Sequence, residues 1–186
     1  MSRVKMFGAI PRRPDISVQY FHDHYRHPHG TLGRNISTMR GYFQSHQIHS
    51  DLLGKDQTHF EACAEVWFDS VMDAENFPSE KIYNRDVKPD EPLFVDLEKL
   101  RFVFAEEEVL MSGPDHNEEW SPGDAAWRLD TRPMCVKLLQ FIEEANDKRW
   151  DDDNDYALGR RIGALRHVRC RPVARLHPDG AFVVGV

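Results

Sequence analysis

The segment at 21–33, "FHDHYRHPHGTLG", carries four histidines, His22, His24, His27 and His29, within eight residues. Imidazoles at this density can hold a metal ion or exchange protons near neutral pH, and their spacing decides between the two. Ser17 stands where a helix N-cap would, and Val18, Phe21, Tyr25 and Leu32 follow at helical intervals. On a wheel of about 100° per residue, Val18, Phe21, Tyr25, Pro28 and Leu32 share one face. His22 and His29 flank one edge of that face and His24 the other, while His27 points away. His22 and His29 would sit roughly 10 Å apart along the axis, too far to share an ion bonded at about 2.1 Å. Only His24 and His27 have chelating spacing, and no third helical ligand follows them. No metal is expected in this segment. His24 and His29, on the border between the apolar face and a cavity, are the expected catalytic residues. His27 is expected to be solvated and His22 to lie at the rim. Pro28 is expected to break the helix, so that at Gly30 the backbone can turn and carry His29 to the cavity mouth.

The elements that would position these rings follow from periodicity. "VKMFGAI" at 4–10 is a short apolar run closed by Pro11, which fits a strand. After the histidine helix, "GYFQSHQIHS" at 41–50 reads as a half-buried strand. Tyr42, Gln44 and Ile48 lie on one face, with His46; Phe43, Ser45, Gln47 and His49 lie on the other. Either face could line a cavity. "EACAEVWFD" at 61–69 alternates Ala62, Ala64, Val66 and Phe68 against Cys63, Glu65 and Trp67, a period of two. Ser70 can cap a short helix through Phe77 that stops at Pro78, and "RFVFAEEEVLM" at 101–111 is a further strand. The order β-α-β-β-α-β is the ferredoxin-like unit, an α+β antiparallel sheet with helices on one face. Its bare face must be buried, or a large apolar patch is left exposed. A second sheet from another chain, or from this one, would close an α+β barrel.

Residues 113–132 are rich in Gly, Pro and acid and read as a linker. Beyond it the pattern starts again. "VKLLQFI" at 136–142 echoes "VKMFGAI", and "LGRRIGALRHV" at 158–168 echoes "LGRNISTMRGY" at 32–42. The expected organisation is therefore a ferredoxin-like domain at 1–112, a linker, and an incomplete second repeat at 133–186 with strand, helix, strand and strand. The second copy has none of the four histidines, so a dimer-like pair with one working site is expected.

Composition narrows the function classes. The chain has 186 residues, 24 Lys and Arg against 31 Asp and Glu, and a formal net charge of -7. That balance disfavours a nucleic-acid surface. Mean hydropathy is -0.61, and no apolar run approaches the ~20 residues of a membrane span. The amino terminus lacks the pattern of a secretory signal, and the expected location is cytoplasmic. Cys63, Cys135 and Cys170 have no CxxC spacing and do not form a disulfide framework or a zinc knuckle. "DDDNDY" at 151–156 lacks the glycine and distal glutamate of a calcium loop and reads as a solvated acidic turn.

"VKMFGAIPRRPDISVQYFHDHYRHPHGTL", followed by "RGYFQSHQIH", "EVWFD" and "PDEPLFVD", resembles the EthD family of dimeric α+β barrel proteins. The likeness rests on Pro11–Arg13, Ser17, Phe21, His24-Tyr25 and His29-Gly30. It implies a ferredoxin-like fold that pairs into a barrel, with no universal cofactor; none is expected here. Its members include an accessory protein of an ether-degrading haem monooxygenase system, and fungal proteins described as dehydratases or decarboxylases of aromatic polyketides. The loop Asp90, Glu91 and Asp96 also matches the family, where a loop-capping role for the acids is favoured over an acid/base one.

Two functions follow. The first is a cofactor-independent lyase or isomerase acting on a small cyclic, aromatic or polyketide-like molecule, with His29 and His24 moving protons. The candidate substrate-binding residues are Phe21, Tyr25, Tyr42, His46, Trp67 and Asp90. The second is a non-catalytic accessory protein that holds a hydrophobic ligand for an oxidoreductase. The expected partners are that ligand and a second copy of the chain, or the chain's own partial repeat.

Overall fold

The computed structural model describes residues 3–51, 59–112, 136–142, 152–164, 166–176 and 183–185. The chain divides into two compact units, Met1–Phe104 and Ala105–Val186. In the first unit β1 (Val4–Pro11) leads through α1 (Val18–His24) and a short α2 (Gly30–Gly33) to β2 (Gly41–His46) and β3 (Phe60–Phe68). Next come α3 (Val71–Asn76), helical turns at Phe77–Ser79, Tyr83–Val87 and Glu91–Leu93, and β4 (Arg101–Ser112). The strands lie in the order β2-β3-β1-β4, the ferredoxin-like arrangement of an α+β protein. The boundary between the units falls inside β4, where the sequence reading placed it after residue 112.

The register settles which strand faces look inward. β1 and β3 pair antiparallel with Met6 opposite Val66 and Gly8 opposite Ala64. β2 and β3 do the same with Tyr42 opposite Val66 and Gln44 opposite Ala64. Because side chains alternate, Met6, Gly8, Ile10, Ala62, Ala64, Val66, Tyr42 and Gln44 share one face. Ile10 and Ala62 of that face form one buried cluster with Phe21, Tyr25, Phe94 and Val95, so it is the face under the helices.

The opposite face is also buried. Phe7 and Glu65 are fully inaccessible and Lys5 is 3 % exposed. A buried charge persists only when it is paired and hydrogen-bonded. Lys5 Nζ lies 2.8 Å from Glu65 Oε2, and Ser45 Oγ donates to Glu65 Oε1 at 2.8 Å. The ammonium also sits 4.3 Å from the centre of the Trp67 ring, and Phe43 meets that ring edge-on. A sequence reading that counts only apolar positions on this face misses its ionic core.

In the second unit the Ala105–Ser112 part of β4 pairs antiparallel with β6 (Arg166–Pro172). β6 pairs with β7 (Val183–Gly185), and β7 with β5 (Gln140–Ile142). With α4 (Asp152–Arg161), the described elements after β4 run strand, helix, strand, strand. The acidic stretch expected to be a turn opens α4 instead. The linker at 113–132 and Cys135 lie outside the described residues. Cys63 and Cys170 are buried. Among the described residues no helix is long and apolar enough to cross a membrane.

Candidate functional site

Ser17 caps α1 as its residue type dictates, its side chain accepting the Tyr20 backbone N–H at 3.1 Å. Phe21 and Tyr25 are fully buried and stack at 5.9 Å. The helix then breaks at His27, whose φ of -146° and ψ of 125° are extended. A residue before proline is pushed out of the helical region by the proline ring, so Pro28 sets the position of the break. Helix resumes at Gly30.

That break makes the site. In a straight helix residues five apart point about 140° away from each other around the axis, and His24 and His29 could not converge. Here they meet on one carboxylate. His24 Nε2 lies 2.9 Å from Asp90 Oδ1 and His29 Nδ1 lies 2.9 Å from Asp90 Oδ2. An ionised carboxylate only accepts, so both rings donate an N–H to it. Asp90 makes no side-chain capping bond to the turn it precedes; its two oxygens serve the histidines, where the sequence favoured a loop-capping role. His29 is therefore held with Nδ1–H toward Asp90 and with its lone pair on Nε2. Burial pushes the His29 pKa below the ordinary imidazole range, and the hydrogen bond and charge of Asp90 push back.

His29 lines a cavity of about 60 Å³ between the inward sheet face and the helices, together with Gly8, Tyr42, Ala64, Tyr83 and Glu91. The Gln44 amide donates to the Tyr42 hydroxyl at 3.0 Å and to the Tyr25 carbonyl. Burial pushes the Tyr42 pKa up to about 12, so its phenol stays protonated and can donate. Tyr83 donates its hydroxyl to Glu91 Oε1 at 3.0 Å, and burial raises the carboxyl pKa of Glu91. Gly30 has ordinary helical dihedrals, so a freely turning backbone is not its role here. A Cβ there would lie 2.8 Å from the Gln44 amide, so the close approach of Gln44 requires the glycine.

Of the residues singled out in the sequence, His24, His29 and Asp90 come together, and Tyr42 shares the cavity with His29. Phe21 and Tyr25 form the core behind them. His46 bonds His22, Nδ1 to Nδ1 at 2.8 Å, and burial lowers its pKa to about 4. His22 is thus held in a cluster of its own, where the sequence placed it loosely at the rim. Trp67 lies on the opposite sheet face from the cavity, beside Lys5. His27 is exposed and, among the described residues, bonds Thr31 Oγ1 at 3.1 Å. The sequence reading missed Tyr83 as part of the site, whereas Gln44 stood on one of the two β2 faces open to the cavity and Glu91 in the loop that matched the family. Tyr83 escaped it because the helix was ended at Pro78; the helical turn at Tyr83–Val87 carries the tyrosine back over the sheet.

Phe94 fixes the two catalytic candidates by packing. It is fully buried, with its ring centre 5.0 Å from that of His24 and 4.8 Å from that of His29. Phe94→Ala is expected to cost about 3–5 kcal/mol of stability, the usual cost of emptying an aromatic core position. Chemical denaturation of the full chain measures it. A loss under about 1 kcal/mol would mean that Phe94 is not the packing centre of this cluster.

The family model for the EthD domain matches residues 13–98. The chain carries an EthD domain, and the histidine pair and Asp90 all lie inside it. Among solved structures the chain is similar to an EthD family protein from Bacillus halodurans C-125, at 21 % identity and a TM-score of 0.47. That match covers 57 % of this chain and 99 % of the other. It is also similar to a dimeric protein of unknown function with a ferredoxin-like fold from Bacteroides fragilis NCTC 9343. The identity there is 12 % and the TM-score 0.45, over 57 % of this chain and 97 % of the other. A Dabb family protein with a ferredoxin-like fold from Mesorhizobium loti MAFF303099 matches at 9 % identity with a TM-score of 0.41, over 56 % and 95 % of the two chains. No curated protein matches.

Proposed function

We propose that the EthD domain of this chain is a cofactor-independent acid/base catalyst, a lyase or isomerase of the dehydratase or decarboxylase type. Its substrate would be a small cyclic molecule carrying a carbonyl group. The observation that carries this reading is the Asp90 carboxylate gripping both His24 and His29 while His29 lines the cavity. A neutral imidazole oriented by a carboxylate is a general base near neutral pH. His29 Nε2 takes a proton from the carbon beside the carbonyl, and the pair of electrons moves toward the carbonyl oxygen. The Tyr42 hydroxyl, held by Gln44, donates to that oxygen where negative charge builds. In a dehydration the imidazolium then returns its proton to the departing hydroxyl, which leaves as water. In an isomerisation it returns the proton to a different carbon. Asp90 stabilises the imidazolium between the two steps, and His24 holds Asp90.

The cavity sets a limit on size. About 60 Å³ is smaller than the ~150 Å³ that accommodates benzene in an engineered core. A ring-sized substrate therefore requires the lining to move, and a ligand-bound structure should show a wider site. Pairing of the chain into a barrel-type homodimer or pseudo-dimer belongs to the same proposal. Its support is the EthD-domain match at residues 13–98.

The test reads the proton-transfer step itself, whichever ring the natural substrate carries. The full chain is incubated in D₂O with a panel of small cyclic ketones and 1,3-diketones, and carbon-bound deuterium is read by mass spectrometry. Exchange above the buffer rate that survives His27→Ala and is lost in His29→Ala is expected. Ligands that bind without exchange would instead favour the accessory role, in which the same pocket only holds a hydrophobic molecule.

A further inference from the structure

A second group of histidines lies apart from Asp90. His22 on α1, His49 just beyond β2 and Glu61 near the start of β3 each offer one ligand atom, and these atoms all lie within 4.8 Å of one another. From this geometry we infer that His22, His49 and Glu61 form a binding site for a divalent transition-metal ion of the zinc type.

The separations are close to those of a ligated ion. Ligand atoms bonded at about 2.0–2.1 Å in a tetrahedral site stand about 3.4 Å apart. His22 Nε2 and Glu61 Oε2 are 3.8 Å apart, so small side-chain movements suffice. His49 Nε2 lies 2.8 Å from the same Oε2 and bonds it directly. On binding, the His49 ring proton moves to Nδ1 and the ion takes its place between the two groups.

The surroundings are those of a supported site. Metal-binding histidines commonly donate their other ring N–H to a fixed acceptor, which sets the tautomer. His22 has such a partner. Its Nδ1 meets His46 Nδ1 at 2.8 Å, so a proton on His22 Nδ1 leaves the lone pair on Nε2, the atom nearest Glu61. Glu61 is likewise fixed from behind, with Arg12 Nε 3.3 Å from its second oxygen, Oε1. The Glu61 side chain is 9 % exposed and that of His22 16 %, whereas His49 is 49 % exposed. One side of the site thus opens to solvent, leaving room for water or an exogenous ligand.

The donor set names the class of ion. Two imidazoles and one carboxylate suit zinc, cobalt, nickel or copper; calcium and magnesium prefer all-oxygen shells. The expectation of no metal in the histidine segment compared ligands along one helix only, whereas His49 reaches His22 from just beyond β2 and Glu61 from the start of β3.

The test uses tag-free, EDTA-treated full chain titrated with ZnCl₂ by calorimetry, with CoCl₂ absorption spectra reporting the ligand set. One Zn²⁺ per chain with a Kd of micromolar order or tighter is expected. Glu61→Gln and His49→Ala should each weaken binding at least about 100-fold, and His46→Ala about 10–100-fold as an outer-shell change. His27→Ala should leave binding unchanged. His49 is half exposed, so its variant keeps the inference testable should Glu61→Gln fail to fold. Absence of stoichiometric binding, or equal affinity in the wild type and His49→Ala, would overturn the site.

Discussion

Asp90→Asn is expected to lower proton-transfer activity by about 10²–10⁴-fold while leaving the fold intact; a comparable carboxylate-to-amide change in a Ser-His-Asp triad costs about 10⁴. The cause is a mismatch of donors. Asp90 accepts one ring N–H on each oxygen, from His24 and from His29. An asparagine offers one accepting oxygen and one donating nitrogen, so it cannot accept from both rings. One histidine must switch tautomer, and the negative charge that stabilises an imidazolium is lost. Thermal unfolding of the variant separates this effect from a loss of structure. Full activity in a folded Asp90→Asn protein would remove the carboxylate from the mechanism.

His29→Ala should be equally damaging, with a loss of about 10²–10⁴ in rate, the usual contribution of a positioned general base. His27→Ala should cost almost nothing, since that ring is exposed and bonds the neighbouring Thr31 hydroxyl. His24→Ala should fall between, because His24 supports Asp90 without lining the cavity. The pH profile follows from the sign of the His29 shift. Burial lowers its pKa below the ordinary value of 6.5, so the base stays neutral at pH 7. Activity should fall only as the pH drops below 6.5, through the depressed pKa of the folded protein. Stability should change in the same direction. Below the unfolded pKa the unfolded chain takes up a proton that the native ring resists, so this contribution to stability is present above 6.5 and is lost as pH falls toward the folded pKa. The comparison of variants belongs at matched folded fraction, since His24 also packs on Phe94.

Much of this was legible in the sequence, and the parts that were not have physical causes. Ser17, Phe21 and Tyr25 announce α1 because capping and a helical apolar stripe are local properties. β3 is legible from its period of two. The helical wheel, however, puts His24 and His29 on opposite edges of the apolar face, and the break at His27 changes that relation. Pro28 shows where a break will fall, but the direction of the chain after it depends on what α2 packs against. Asp90 follows by about sixty residues in the chain, and no local rule links its carboxylate to two distant imidazoles. The face of β2 that lines the cavity was open for the same reason, since alternation fixes two faces without naming the inner one. Register with β3 and packing on Phe21 decide for Tyr42 and Gln44.

The most direct measurement is long-range ¹H–¹⁵N NMR on full-length protein with ¹⁵N-labelled histidine, recorded from pH 5 to 8 and assigned with His29→Ala. The expected spectrum gives His29 as a neutral ring at pH 7, protonated on Nδ1 and bare on Nε2, with a midpoint below 6.5 and the tautomer disturbed in Asp90→Asn. A His29 protonated on Nε2, or already an imidazolium at pH 7, would contradict its role as the base.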